Sequence, residues 1–256
     1  MFPAMTSADA GGAHPVKDIS AKAVWIACAV LWAVLIAIAL IEPTILQGPP
    51  TRLGRNHELG FLESLQNIML LSALIVTLTT IPRANDKLLR GWLILIALGT
   101  FWLLGEEISW GQHYFSWETG GWFAEMNDQG ETNIHNTPDG WFDQKPRAIL
   151  LFGMILGTIV HPLVKHFRNG RGLFDRPWWL APTLASLAPV VFSQIGALPE
   201  RIDDLHLFAV SVGDDIFRYR SSEMEEVFLY VFFITYTASL GHRLKQRKAL
   251  GITAPA

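Results

Sequence analysis

The residues best equipped for chemistry lie in two linked stretches. Gly105-Glu106-Glu107-Ile108-Ser109-Trp110-Gly111-Gln112-His113 is followed by Asn127-Asp128-Gln129-Gly130-Glu131-Thr132-Asn133-Ile134-His135-Asn136. The first closes an apolar run long enough to cross a bilayer, so two adjacent carboxylates end a membrane helix. An ionised carboxylate at a helix centre costs about 2.5–3.5 kcal/mol on insertion scales and less near the interface, so such groups face the bundle interior and are paired or functional. Helical spacing sets Glu106 on a face with Ser109, Trp110 and His113 and turns Glu107 toward Gly111 and a neighbouring helix. One glutamate then points inward and the other outward. Ser109 has no histidine in a readable triad order, which makes it a hydrogen-bond partner of Glu106 instead of a nucleophile. Glu131 and His135 share a face if residues 129–136 are helical, a ligand spacing for a metal. Asn133 and Asn136 could hydrogen-bond them.

Glu63, Glu106 and Glu107 are therefore the candidate acid and base residues. Glu106, Glu131, His135 and Glu226 are the candidate ligands of a divalent metal ion, and Trp110, Gln112, Asn127, Gln129 and Asn136 the candidate substrate contacts. Mixed Glu and His ligands suit Zn, Mn or Fe better than Ca, while an oxygen-only set remains open if His135 stands behind the metal. The di-iron carboxylate pattern needs Glu-x-x-His twice, and here the spacing is Glu-x-x-x-His, once. Such a site fits a metal-assisted hydrolase or transferase acting on a lipid or lipid-linked substrate. A cation- or proton-coupled transporter would need polar groups at several depths, where the spans offer little beyond Ser186, Ser193, Gln194, Thr235 and Thr237. A scaffold for a membrane protein partner would pair Glu106, Glu107, Glu225 and Glu226 with Arg201, Arg218 or Arg220.

The elements that must position these residues follow from composition and periodicity. Of 256 residues, 50% are hydrophobic and only 17% charged, against roughly 25% charged in soluble domains. An all-α integral membrane protein is the class this implies. A net charge of -3 provides no basic field for nucleic acid. The single cysteine, Cys28, lies within an apolar run and reads as filler, with no disulfide framework. Residues 1–21 read as a disordered tail, residues 22–242 as a six-helix membrane domain and residues 243–256 as a basic tail. Spans are expected at about 23–41, 61–81, 91–109, 148–165, 178–198 and 224–241, each near the length that crosses a bilayer. The second carries Glu63, Gln66 and Asn67 in its first turns, so one end of it is polar. Residues 110–146 are too long for a structureless loop and predict short interfacial helices, with Trp117, Trp122, Phe123 and Trp141 at headgroup depth.

Thirteen of the 20 basic residues fall on one side of this arrangement, which puts both termini in the cytoplasm. Glu63, Glu106, Glu107, Glu223, Glu225 and Glu226 then share the outer boundary. The Gly105–Gln112 stretch, with Glu58, Gly60 and Glu63 before it and Asn127, Gln129, Glu131, Asn133, His135 and Asn136 after it, resembles a family of bacterial multi-pass membrane proteins of no assigned activity. The resemblance covers residues 57 to 137. It implies a polar site on the outer face of a bacterial inner membrane, and at the position of His113 that family commonly carries Arg.

Overall fold

The computed structural model describes residues 16–47, 60–127, 130–134, 137, 144–174, 178–206, 208, 210–212 and 220–252. Among them there are helices and no strand. Helix α1 (Ala21–Ile41) is almost wholly apolar and opens on Ser20, whose hydroxyl accepts from the Ala23 amide at 3.2 Å. A short α2 (Thr44–Gln47) follows, then α3 (Phe61–Thr80) and α4 (Lys87–Glu107). Asp86 caps α4 by accepting from the Leu88 and Leu89 amides, a side-chain oxygen meeting donors that the first helical turn leaves unpaired. Beyond α4 come two short helices, α5 (Gln112–Phe115) and α6 (Gly121–Met126), within the loop where short helices are expected. Trp141 lies outside the described residues.

The next long helix runs from α7 (Gln144–Ile155) through a π turn (Leu156–Val160) into α8 (His161–Phe167). Pro162 explains the π turn: it has no N–H to give and its ring crowds the preceding carbonyls, so one extra residue is taken up there. Helices α9 (Leu187–Gly196) and α10 (Leu198–Asp204) precede α11 (Ser221–Ala249). Five helices are long and apolar enough to cross a membrane: Ala21–Ile41, Phe61–Arg83, Lys87–Glu107, Arg147–Phe167 and Ser221–Ala249.

The expected span at 178–198 is not one continuous helix. It begins as turn and irregular chain, takes a 3-10 turn at Leu184–Ser186 and becomes α-helical only at α9. Pro182 accounts for the interruption, since proline disfavours helix in the residue before it and donates no amide, while Pro189 falls in the first turn of α9, where no amide partner is needed. The segment nevertheless runs the length of α11. Tyr236 donates to the Trp179 carbonyl at 2.8 Å, Thr183 and Ser239 share a hydrogen bond at 3.3 Å, and Gln194 donates to Glu225 at 3.1 Å.

Helix α11 is the axis of the bundle. Of its most apolar window 72% is buried, against 17–33% in the other four long helices, which keep apolar faces outward. One core joins Leu70, Leu93, Met154, Val190, Leu229 and Leu240, and a second joins Leu35, Leu46, Leu62, Met224 and Val227. Cys28 packs in a third with Ala188, Phe192 and Phe228, as the filler it was expected to be. In a bilayer, close approach of helices depends on small residues. A Cβ at Gly157 would stand 2.5 Å from Pro182, one at Gly241 would stand 2.7 Å from the Thr80 hydroxyl, and one at Gly196 would stand 3.2 Å from the α11 backbone. The residues just before α1 meet the C-terminal half of α11 at one end of the bundle. The Lys17 amide donates to Gln246 and the Ser239 hydroxyl to Asp18, each at 2.7 Å.

Candidate functional site

The opposite end of the bundle gathers the polar residues into two networks. The first is the loop after α4. Ile108 ends the helix, and Ser109, Trp110 and Gly111 follow with φ of 45°, 55° and 105°. This left-handed turn folds the Trp110 indole back over Gly105, where a Cβ would lie 2.8 Å from the ring. There the indole meets the edges of Trp102 and Phe101 and donates to Glu106 Oε1 at 2.8 Å. Glu106 Oε2 accepts from the Ile134 amide at 2.6 Å. Glu106 thus fastens both ends of the loop to the end of α4.

Ser109 does not pair with Glu106. Its hydroxyl lies 2.9 Å from His113 Nε2 and 3.0 Å from Glu131 Oε2, and Asn133 Nδ2 donates to both Ser109 at 2.9 Å and Glu131 at 2.7 Å. The positive φ at Ser109 turns its side chain away from the helical face on which the pairing with Glu106 was expected. Asn127 ties this group to the chain by donating to Asn133 and accepting from the Glu131 amide at 3.0 Å. Gln112 donates to the Trp117 carbonyl and to Thr119, and accepts from the Thr132 amide at 2.6 Å. Residues 130–134 are not helical, and Gly130 has a φ of 70°, so the helical face expected for Glu131 is absent. Gln129, His135 and Asn136 lie outside the described residues. Ser109, Gln112 and Asn133 are wholly buried, and Glu106, Glu131 and Asn127 nearly so.

The second network lies between the start of α3, the end of α4 and the start of α11. Glu107 diverges from Glu106, as its position on the helix requires, and accepts from the Tyr230 hydroxyl at 2.6 Å. Glu63 pairs with Arg220, which also holds Glu223 at 2.8 Å. Glu226 pairs with Arg147 at the start of the fourth long helix. Gln66 Nε2 donates to the Glu223 carbonyl at 3.1 Å, to the Glu223 carboxylate at 2.7 Å and to Glu226 at 3.0 Å. Alongside, Glu225 accepts from Gln194 and from Arg201 at 3.3 Å. Glu63, Glu107, Glu223 and Glu226 therefore face Arg147 and Arg220 among the described residues, four carboxylates to two guanidinium groups.

The structure thus divides the residues the sequence singled out. Glu106, Trp110, Gln112, Asn127 and Glu131 belong to the loop network, whereas Glu63, Glu107 and Glu226 belong to the cluster at the bundle end. Among the described residues no group of three His, Cys, Asp or Glu side chains is arranged to hold a metal ion. Arg147 and Tyr230 were missed. Tyr230 had a signal, since it lies four residues after Glu226 and so shares its helical face. Arg147 had only its position at the start of an apolar run. His161, away from both networks, is buried, and its Nδ1 accepts from the Leu173 and Phe174 amides at 3.0 Å.

These features define a helical membrane protein with a carboxylate-rich cluster at one end of the bundle. Comparison with known proteins finds no family model, curated protein or solved structure that matches the chain.

Proposed function

We propose that the chain is a metal-assisted hydrolase or transferase acting on a lipid or lipid-linked substrate at the outer face of a bacterial inner membrane. The observation that carries the reading is the convergence of Glu63, Glu107, Glu223 and Glu226 from three helices onto one level, with only Arg147 and Arg220 opposing them among the described residues. Carboxylates gathered at a bundle end favour a bound cation, which offsets their desolvation and mutual repulsion. A divalent ion there supplies Lewis acidity toward a carbonyl or phosphoryl oxygen of the substrate. Glu107, held by Tyr230, is placed to accept the proton of an attacking water or hydroxyl group. The exposed rings of Trp110, Trp117 and Trp122 suit the headgroup layer in which such a substrate lies.

Six crossings with both termini cytoplasmic complete this reading, the interrupted 178–204 segment serving as the fifth. Its support is the run of contacts along α11 and the meeting of Lys17 with Gln246.

A second reading, a non-catalytic scaffold, draws on the ion pairs Arg147–Glu226, Arg201–Glu225 and Arg220–Glu63. Elemental analysis of the purified chain separates the two. The enzyme reading expects about one divalent metal per chain in the wild type and a loss of it in Glu63→Gln and Glu107→Gln. A well-folded protein that neither carries nor takes up a divalent metal would leave the scaffold.

A further inference from the structure

Within the cluster, α3 presents a row of oxygen atoms without donors. Glu63 Oε2, Gln66 Oε1 and Asn67 Oδ1 are buried and have no hydrogen-bond partner among the described residues. Glu63 is 5% exposed and Gln66 is 0% exposed. Spacings of three and four residues set all of them on one face of the helix. The assignment at Gln66 is fixed by its surroundings: its nitrogen faces the Glu223 carbonyl, the Glu223 carboxylate and the Glu226 carboxylate. Turning the amide over would press an oxygen against acceptors alone. The orphaned atom at Gln66 is therefore an acceptor, and Glu63 Oε2 and Asn67 Oδ1 are likewise without a donor among the described residues.

Buried acceptors in native proteins find partners. Here the surroundings supply more acceptors still, since Glu223 and Glu226 hold the Gln66 nitrogen and Glu107 lies within Coulombic reach of Glu63, while the Arg220 and Arg147 guanidinium groups meet Glu63, Glu223 and Glu226 through their Oε1 atoms. What meets such a face is a cation.

We propose that Glu63, Gln66 and Asn67 form the α3 wall of an oxygen-only site for a hard divalent cation of the magnesium, calcium or manganese class. Carboxylate and amide oxygens, with no thiolate or imidazole in the described cluster, select these ions over zinc or iron. The site rests on the metal-assisted reading above but moves the metal away from Glu106 and Glu131, which are committed to holding the loop.

The test uses the full chain in detergent and Mn²⁺ as the probe, read by loss of the free-ion electron paramagnetic resonance signal. One Mn²⁺ per chain is expected, displaced by Mg²⁺ or Ca²⁺. Asn67→Leu removes an oxygen that holds nothing in the bundle, so the fold survives, and Mn²⁺ affinity is expected to fall at least tenfold. Glu63→Gln should do the same, while Glu131→Gln leaves binding unchanged. Wild-type affinity in both Asn67→Leu and Glu63→Gln overturns the site. Binding lost in Glu131→Gln alone also overturns it and leaves a metal-dependent enzyme with its ion in the loop network. Absence of any bound metal, by this probe and by elemental analysis, overturns both.

Discussion

Trp110 and Gly105 form a lock whose two halves are intelligible only together. A non-glycine residue at positive φ is held at a cost and persists where the surroundings over-determine it, and two in succession, Ser109 and Trp110, require a strong return. The return is the indole seated over Gly105, edge-on to Trp102 and donating to Glu106. Gly105→Ala places a methyl group inside the ring's contact distance and should destabilise the protein by about 1–3 kcal/mol, the range for overpacking. Trp110→Phe keeps an aromatic ring but gives up a hydrogen bond to a carboxylate, a loss of about 1.5–3 kcal/mol. Because both changes break one contact, the double variant should cost much less than their sum. Thermal unfolding of the four proteins in detergent reads the cycle, and simple additivity would show that Trp110 and Gly105 act independently.

At the level of elements, the interrupted segment before α11 is held by Gly157 against Pro182. Gly157→Ala brings a Cβ to 2.5 Å from the proline ring, and neither a helix backbone nor a proline yields easily, so a loss of about 1–3 kcal/mol is expected. Gly153, one turn earlier on the same helix, has open space at its Cβ, and Gly153→Ala should instead gain about 0.5–1 kcal/mol from helix propensity. Opposite signs from one substitution, one turn apart, would be seen as opposite shifts of the unfolding midpoint. Equal shifts would show that Pro182 does not press on this helix.

The same segment marks where sequence stops being legible. Spans such as Ala21–Ile41 announce themselves because an apolar run of about 20 residues has one stable form in a bilayer. Residues 178–198 are also predominantly apolar, but Pro182 changes the backbone in a way that composition does not show. The common level of Glu63, Glu107, Glu223 and Glu226 could likewise be read, since each sits at a span end. Arg220 could be read as a partner as well, and Tyr230 had the signal of a shared helical face, whereas Arg147 reaches Glu226 only through helix packing. Helical spacing extends α4 through Ser109, which turns left-handed, and a pattern that assumes 3.6 residues per turn cannot show such a reversal.

For the whole molecule, parity ties the crossings to the ends of the chain. Five crossings would put the termini on opposite sides of a membrane, yet Lys17 and Gln246 are hydrogen-bonded to each other. The proposed six crossings, with the 178–204 segment as the fifth, would keep Lys17 and Gln246 on one side. In the proposed orientation the end of the bundle that carries Lys17 and Gln246 faces the cytoplasm, following the positive-inside tendency. Lys17 and Lys248 are exposed at that end, and Glu118 is exposed on the loop after α5. In a Cys28→Ala background, single substitutions Lys17→Cys, Glu118→Cys and Lys248→Cys can be challenged with a membrane-impermeant maleimide. Glu118→Cys should label in intact cells, whereas Lys17→Cys and Lys248→Cys should label only after permeabilisation. Labelling of Lys17→Cys and Lys248→Cys from opposite sides would restore five crossings and break the contact between the chain ends. Labelling of both from outside would keep the fold but invert it, and the carboxylate cluster would then face the cytoplasm.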